Sequence, residues 1–164
     1  ANPGGLNDVE QFDVHGTPPE SLLAAMQHAA SHDTIARLYA TEYQDFFETM
    51  VPCVRHGISA RGLVEGLVFA HLKFMSTWPD SLIARKCGLP CAEEAALRAD
   101  KVLRAGAFGD PRFDDLLSDL DFWLRSDGNQ RNPGTTADLV AAALFAVLRD
   151  DPQPVFDALR AHPT

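Results

Sequence analysis

The chain has 164 residues, 46% of them hydrophobic, and a formal net charge of −9. A chain of this length buries about two-thirds of its unfolded surface, so one domain can form a core without metal or disulfide staples. The acidic balance argues against a general nucleic-acid binder, because phosphate backbones need a basic face; it leaves room for a small basic pocket that takes a nucleotide.

Residues 1–17 read as irregular, with scattered acids and no helical stripe. Thr17 before Pro18-Pro19-Glu20 is a helix start, and Leu22, Leu23 and Met26 supply the apolar face. Asp33 caps a second helix that carries Ile35, Leu38, Tyr39, Phe46, Phe47 and Met50, with Pro52 kinking or ending it. Gly57 and Ser59 mark the next break. A third helix runs from about Ala60 to Trp78. It is apolar on two faces, Leu63-Leu67-Ala70-Phe74 and Val64-Val68-Leu72-Met75, which predicts a central position. Asp80 or Ser81 caps a short helix through Lys86, and Gly88 and Pro90 end it. A polar-faced helix covers about Cys91 to Ala105, and another opens at Asp110-Pro111. Ser126 to Gly134 is the sharpest loop. A nearly all-apolar helix follows from about Thr136 to Leu148, and Asp151-Pro152 begins a last one. No stretch alternates long enough to predict a strand. The expectation is an all-α fold, a single compact multi-helix domain over residues 1–164.

Three cysteines, Cys53, Cys87 and Cys91, are too few and too odd in number for a disulfide scaffold, and fit a cytoplasmic location. The longest apolar run, Leu139 to Leu148, is about half of a membrane span, so no membrane association is expected.

The loop-to-helix junction at 127–138 is the most informative segment for chemistry. The first turn of a helix points free N–H groups outward with partial positive charge, which suits an anion. Gly134 lets a ligand approach the backbone, and Thr135 and Thr136 add hydroxyl donors. Arg131 adds a cation, and Asn129 and Asn132 add amides. Asp138 is the only charge between Gly134 and Leu148, and a carboxylate beside a phosphate site can hold Mg²⁺. The same residues fit a capping box, in which Asp138 reaches back to the start of the helix. Asp80 has a similar alternative as a plain helix cap. Arg85 and Lys86 read equally as a solvated face, and His71, set among apolar residues, as a core histidine.

Three stretches together resemble the triphosphoribosyl-dephospho-CoA synthase family. They are Asn132-Pro-Gly-Thr-Thr-Ala-Asp-Leu139, Pro79-Asp-Ser-Leu-Ile-Ala-Arg-Lys86, and Asn2-Pro-Gly-Gly-Leu6 through Asp8 with His15-Gly-Thr-Pro18. The middle stretch is similar to a subgroup found with tetrahydromethanopterin-type one-carbon metabolism. The resemblance implies an all-helical enzyme that takes ATP and dephospho-CoA, expels adenine and joins the triphosphoribosyl group to a hydroxyl. The family's early Lys-Pro-Gly and Asn-Thr-Asn-like segments have no counterpart here. The expectation is therefore the C-terminal part of a larger helical enzyme, inactive alone and partnered by an N-terminal part or a second chain, with oligomerisation left open.

On that reading Asp138 and Asp80 are the catalytic and Mg²⁺-binding residues. Phosphate binding falls to Gly134, Thr135, Thr136, Asn132, Arg131, Arg85, Lys86 and Ser81. Asp8, Asp13 and His15 form a second metal or acceptor site. The substrates are ATP and a small-molecule acceptor, without nucleic acid. Two related alternatives stand beside it: phosphoribosyl transfer in tetrahydromethanopterin-type cofactor biosynthesis, and a non-catalytic nucleotide-binding helical module. A third is a purely structural helical subunit.

Overall fold

In the computed structural model, residues 19–161 are described. They form α1 (Leu22–Ala29), α2 (Thr34–Ala40), a π-helical turn (Phe46–Met50), α3 (Val51–Arg61), α4 (Leu63–Thr77), α5 (Ser81–Cys87), α6 (Leu89–Ala105), α7 (Pro111–Arg125), α8 (Gly134–Asp150) and α9 (Gln153–Ala161). No strand occurs among the described residues, and the all-α expectation holds as a single helical domain.

Several predicted boundaries stand on the capping chemistry expected of them. The Asp33 carboxylate accepts from Ala36 N at 2.9 Å and opens α2. Asp80 caps α5 with its side chain, whereas Asp110 precedes Pro111 at the start of α7 without a side-chain cap bond, its carboxylate accepting from Ala107 N instead. At the first helix, Ser21 is the cap, its Oγ accepting from Ala24 N at 3.1 Å. The helix start expected at Thr17 lies outside the described residues.

Two boundaries differ from expectation. The helix predicted from Asp33 to Met50 is broken after Ala40. There the Tyr43 amide donates to Leu38 O at 2.7 Å and the Glu42 amide to Tyr39 O at 3.3 Å. This is the double closure of a Schellman motif. Its left-handed position is Glu42, at φ 53°, where a glycine would have announced the turn. The chain then resumes through the π turn, whose extra width precedes Pro52 at the start of α3. The second difference is at Gly57, which lies inside α3 instead of ending it. A Cβ at Gly57 would stand 2.8 Å from Gly66 O, and one at Gly66 would stand 2.5 Å from the Gly57 backbone. These glycines let α3 and α4 cross with their backbones in contact. The break falls instead at Gly62, whose φ of 83° favours glycine.

Helix α4 is central, as its two apolar faces predict. Ala70 and Phe74 join Leu38, Met50, Val54, Ile58, Ala143 and Val147 in one core. Leu72 and Met75 join Ile83, Ala95, Ala99, Val102, Phe113 and Leu120 in the other. Together these cores set the start of α8 against the start of α5, where the candidate site lies.

Candidate functional site at the α5–α8 corner

Asp80 is the hinge of this corner. Pro79 ends the α4 exit, and Asp80, 1% exposed, turns its carboxylate inward. Oδ1 accepts from Leu82 N at 2.9 Å and Ile83 N at 3.0 Å, capping α5. Oδ2 accepts from Thr136 N at 2.7 Å and from Thr136 Oγ1 at 2.8 Å, capping α8 from 56 residues away. One carboxylate thus meets the positive ends of two helix dipoles. Next to it, Ser81 Oγ and Thr135 Oγ1 share a hydrogen bond at 3.1 Å. The local capping box imagined at 135–138 is not what closes α8: Pro133 occupies its cap position without a side-chain bond, and Asp80 supplies the acceptor.

The geometry of the turn follows from this clamp. The Gly134 amide donates to Asn132 O at 2.9 Å and the Ala137 amide to Pro133 O at 3.0 Å. With Thr136 held by Asp80, the Thr135 amide is the first-turn donor without an acceptor among the described residues. The open side of Gly134 is already filled by Leu82, whose Cδ2 would lie 2.5 Å from an added Cβ. Gly134 therefore serves close helix packing, where the sequence suggested ligand approach.

The other predicted residues divide clearly. Asp138 is exposed just past the first turn of α8, and Asn132 is exposed in the turn before the helix. Arg131 is occupied with its own loop. Its Nη1 donates to Trp123 O at 3.1 Å and Ser126 Oγ at 3.0 Å, and its guanidinium lies 4.6 Å from the Trp123 ring centre. Arg98 stacks on the same ring at 4.7 Å. Arg85 and Lys86 are exposed in the last turn of α5. Asp8, Asp13 and His15 lie outside the described residues.

No group of three His, Cys, Asp or Glu side chains able to hold a metal occurs among the described residues. Asp138 is a lone exposed carboxylate, and the carboxylate of Asp80 is engaged by four donors. These residues do not fit a Mg²⁺ held by protein groups alone. All three cysteines are free thiols. No helix among the described residues is long and apolar enough to cross a membrane.

A cavity of about 500 Å³ opens beside the turn, walled by α4, α7, the 126–133 loop and α8. Asn129, Asn132 and Pro133 form its edge on the α8 side, and His71 projects into it from α4. Burial holds the His71 pKa below its ordinary value, partly offset by the nearby Asp80 carboxylate. Sequence reasoning placed His71 in the core because its neighbours are apolar. The missed signal is its position on the Val68–Leu72–Met75 side of α4, the side that faces the cavity.

A family model described as CitG, ATP:dephospho-CoA triphosphoribosyl transferase, matches residues 1–155. No curated protein and no solved structure gives a significant match.

Proposed function

Because the chain belongs to the ATP:dephospho-CoA triphosphoribosyl transferase family, we propose that it takes part in that transfer, with the α5–α8 corner at its reacting end. The family match over residues 1–155 is the observation that carries this reading. The bond broken is that between adenine and the ribose C1′ of ATP. The bond formed joins C1′ to a hydroxyl of dephospho-CoA. The hydroxyl proton goes to a base, and the departing purine takes up a proton.

Three requirements follow: the triphosphate must be held, the acceptor hydroxyl must lose its proton, and positive charge at C1′ must be tolerated. Asp138 suits the second and third, since it is an exposed carboxylate three residues after Thr135 on α8. The Thr135 amide, Asn132 and the exposed Arg85 and Lys86 are the donors and cations available to the triphosphate. Asp80 has a different part. Its charge compensates the start of α8, which weakens that helix end as an anion site by itself. It acts as a positioning residue that fixes Thr135 and Asp138 relative to α5. Mg²⁺ enters this account only as the companion of ATP, bound by the substrate's own phosphates.

The test is release of free adenine when the protein is mixed with MgATP and dephospho-CoA. The reading expects adenine only when both substrates are present, and a coenzyme product heavier by the triphosphoribosyl group. A ribityl-bearing pterin precursor in place of dephospho-CoA tests the subgroup alternative in the same assay. ATP binding without adenine release from any acceptor contradicts transfer and favours a nucleotide-binding module.

A further inference from the structure

We propose that Cys87 and Cys91 form a dithiol that closes to a disulfide by exchange with a low-molecular-weight disulfide, and that closure releases the loop leading into α8. The inference stands apart from the proposed transfer and does not depend on it.

Placement is the first observation. Cys87 is the last residue of α5, and Cys91 lies in the first turn of α6. Gly88 turns the chain between them at φ 89°, and the Cys91 amide donates to Gly88 O at 3.1 Å. Both side chains pack on one core, that of Met75, Ile83 and Ala95. Cys91 is also a hydrogen-bonding neighbour of the Cys87 thiol. A disulfide needs Cα atoms about 4.4–6.8 Å apart, a span that a tight turn between the two residues provides. Cys53 stands elsewhere, on α3 against the other core.

Access is the second observation. Both thiols are free and only partly buried, so a small disulfide can reach them. Burial, and then the Cys91 thiol, push the Cys87 pKa up. Exchange requires a thiolate, so closure is slow at neutral pH and the pair is a responsive site and not a catalytic one.

The third observation is what Cys87 holds. Its thiol donates to Gln130 O at 3.4 Å, 43 residues along the chain. The other hydrogen bonds of residues 126–133 run within that loop, to α7 or into the first turn of α8. Among the described residues, Cys87 is therefore the loop's hydrogen-bonded tie to α5.

The chemistry balances in two steps. One cysteine thiolate attacks the reagent, forms a mixed disulfide and expels one thiolate. The second cysteine thiolate attacks the protein sulfur of that mixed disulfide and expels the other. Two protein thiols are oxidised, the reagent is reduced to two thiols, and the cysteine protons pass to them. The product has no S–H at Cys87, so Gln130 O loses its donor. Disulfides formed in a reducing compartment are usually transient and redox-sensing, and this pair fits that pattern.

The full chain is incubated with oxidised glutathione in mildly alkaline buffer, alkylated, and weighed intact and as tryptic peptides. Cys87 and Cys91 fall in the same tryptic peptide, 87–98. The expected product is lighter by about 2 Da, the two hydrogens lost on closure, and leaves Cys53 as its alkylatable thiol. Amide hydrogen exchange over residues 127–132 should be at least about fivefold faster than in the reduced protein. Cys87→Ser keeps a hydroxyl donor for Gln130 O but cannot close, and its exchange there should not respond to the reagent. Reduction should restore the wild type. A glutathione adduct retained on either cysteine, a disulfide that includes Cys53, or no loss of thiols overturns the dithiol. Unchanged exchange over 127–132 in the closed protein, or the same acceleration in Cys87→Ser, overturns the link to the loop.

Discussion

Asp80 and Asp138 are both acids beside the start of α8, and the fold gives them opposite tasks. The Asp80 carboxylate is buried and accepts four hydrogen bonds, three from backbone amides of two helices. Removing it leaves two helix starts uncapped in a buried place. Asp80→Ala is expected to cost about 2–4 kcal/mol, more than a single lost cap, read as a lowered urea midpoint; a loss below about 1 kcal/mol would contradict the double clamp. The cap on α5 was legible, because Asp follows Trp78-Pro79 and precedes an apolar run. The reach to Thr136 was not, since no local pattern records a bond across 56 residues. His71 was hidden for a related reason: apolar neighbours on a helix look the same whether they line a core or a cavity. Burial lowers its folded pKa. Below an unfolded value of about 6.5 the unfolded chain takes up a proton that folded His71 resists. Its stabilising effect is present above that pH and is lost as pH falls through the folded pKa. His71→Gln should flatten this fall in stability between neutral and mildly acidic pH. Parallel denaturation profiles for the two proteins would show that His71 is not held neutral by the fold.

At the scale of elements, caps with a side-chain oxygen were readable and turns without their usual glycine were not. Asp33 and Asp80 announce α2 and α5, whereas the turn after Ala40 uses Glu42 in the left-handed position. Gly57 misled in the other direction. Glycine signals a break, but here it sits where α3 and α4 touch backbone to backbone. The distinction has a measurable sign. In a free helix, Gly→Ala gains about 1 kcal/mol of propensity. At Gly57 the added Cβ would meet Gly66 O at 2.8 Å, and neither backbone can yield without moving a helix. Gly57→Ala should therefore destabilise by about 1–3 kcal/mol. A rise in the denaturation midpoint would refute the close crossing.

Across the whole molecule, the doubly apolar α4 was the clearest forecast in the sequence, and it joins the two cores. Phe74 belongs to one and Met75 to the other, one residue apart. Such a shared helix couples the cores, so the chain should unfold in a single transition by near- and far-ultraviolet circular dichroism. Phe74→Ala and Met75→Ala should each cost about 2–5 kcal/mol without separating the two signals; two resolved transitions would mean that the cores are independent. The all-helical class and the α5–α8 segments were legible as periodicity and as motif. How those segments meet was not, because it depends on helices packed between them. The surface retains exposed Phe47, Phe122 and Phe145.

The functional account comes down to whether the start of α8 carries chemistry or only structure. Asp138 decides between them, being exposed and outside the Asp80 hydrogen bonds. The most direct measurement is the rate of adenine release from MgATP with dephospho-CoA for Asp138→Asn against wild type, alongside the thermal melts of both. Loss of about a hundredfold or more in turnover with an unchanged melting temperature is the predicted result. Near-normal turnover in a folded Asp138→Asn protein would contradict the assignment of the reacting end to this corner.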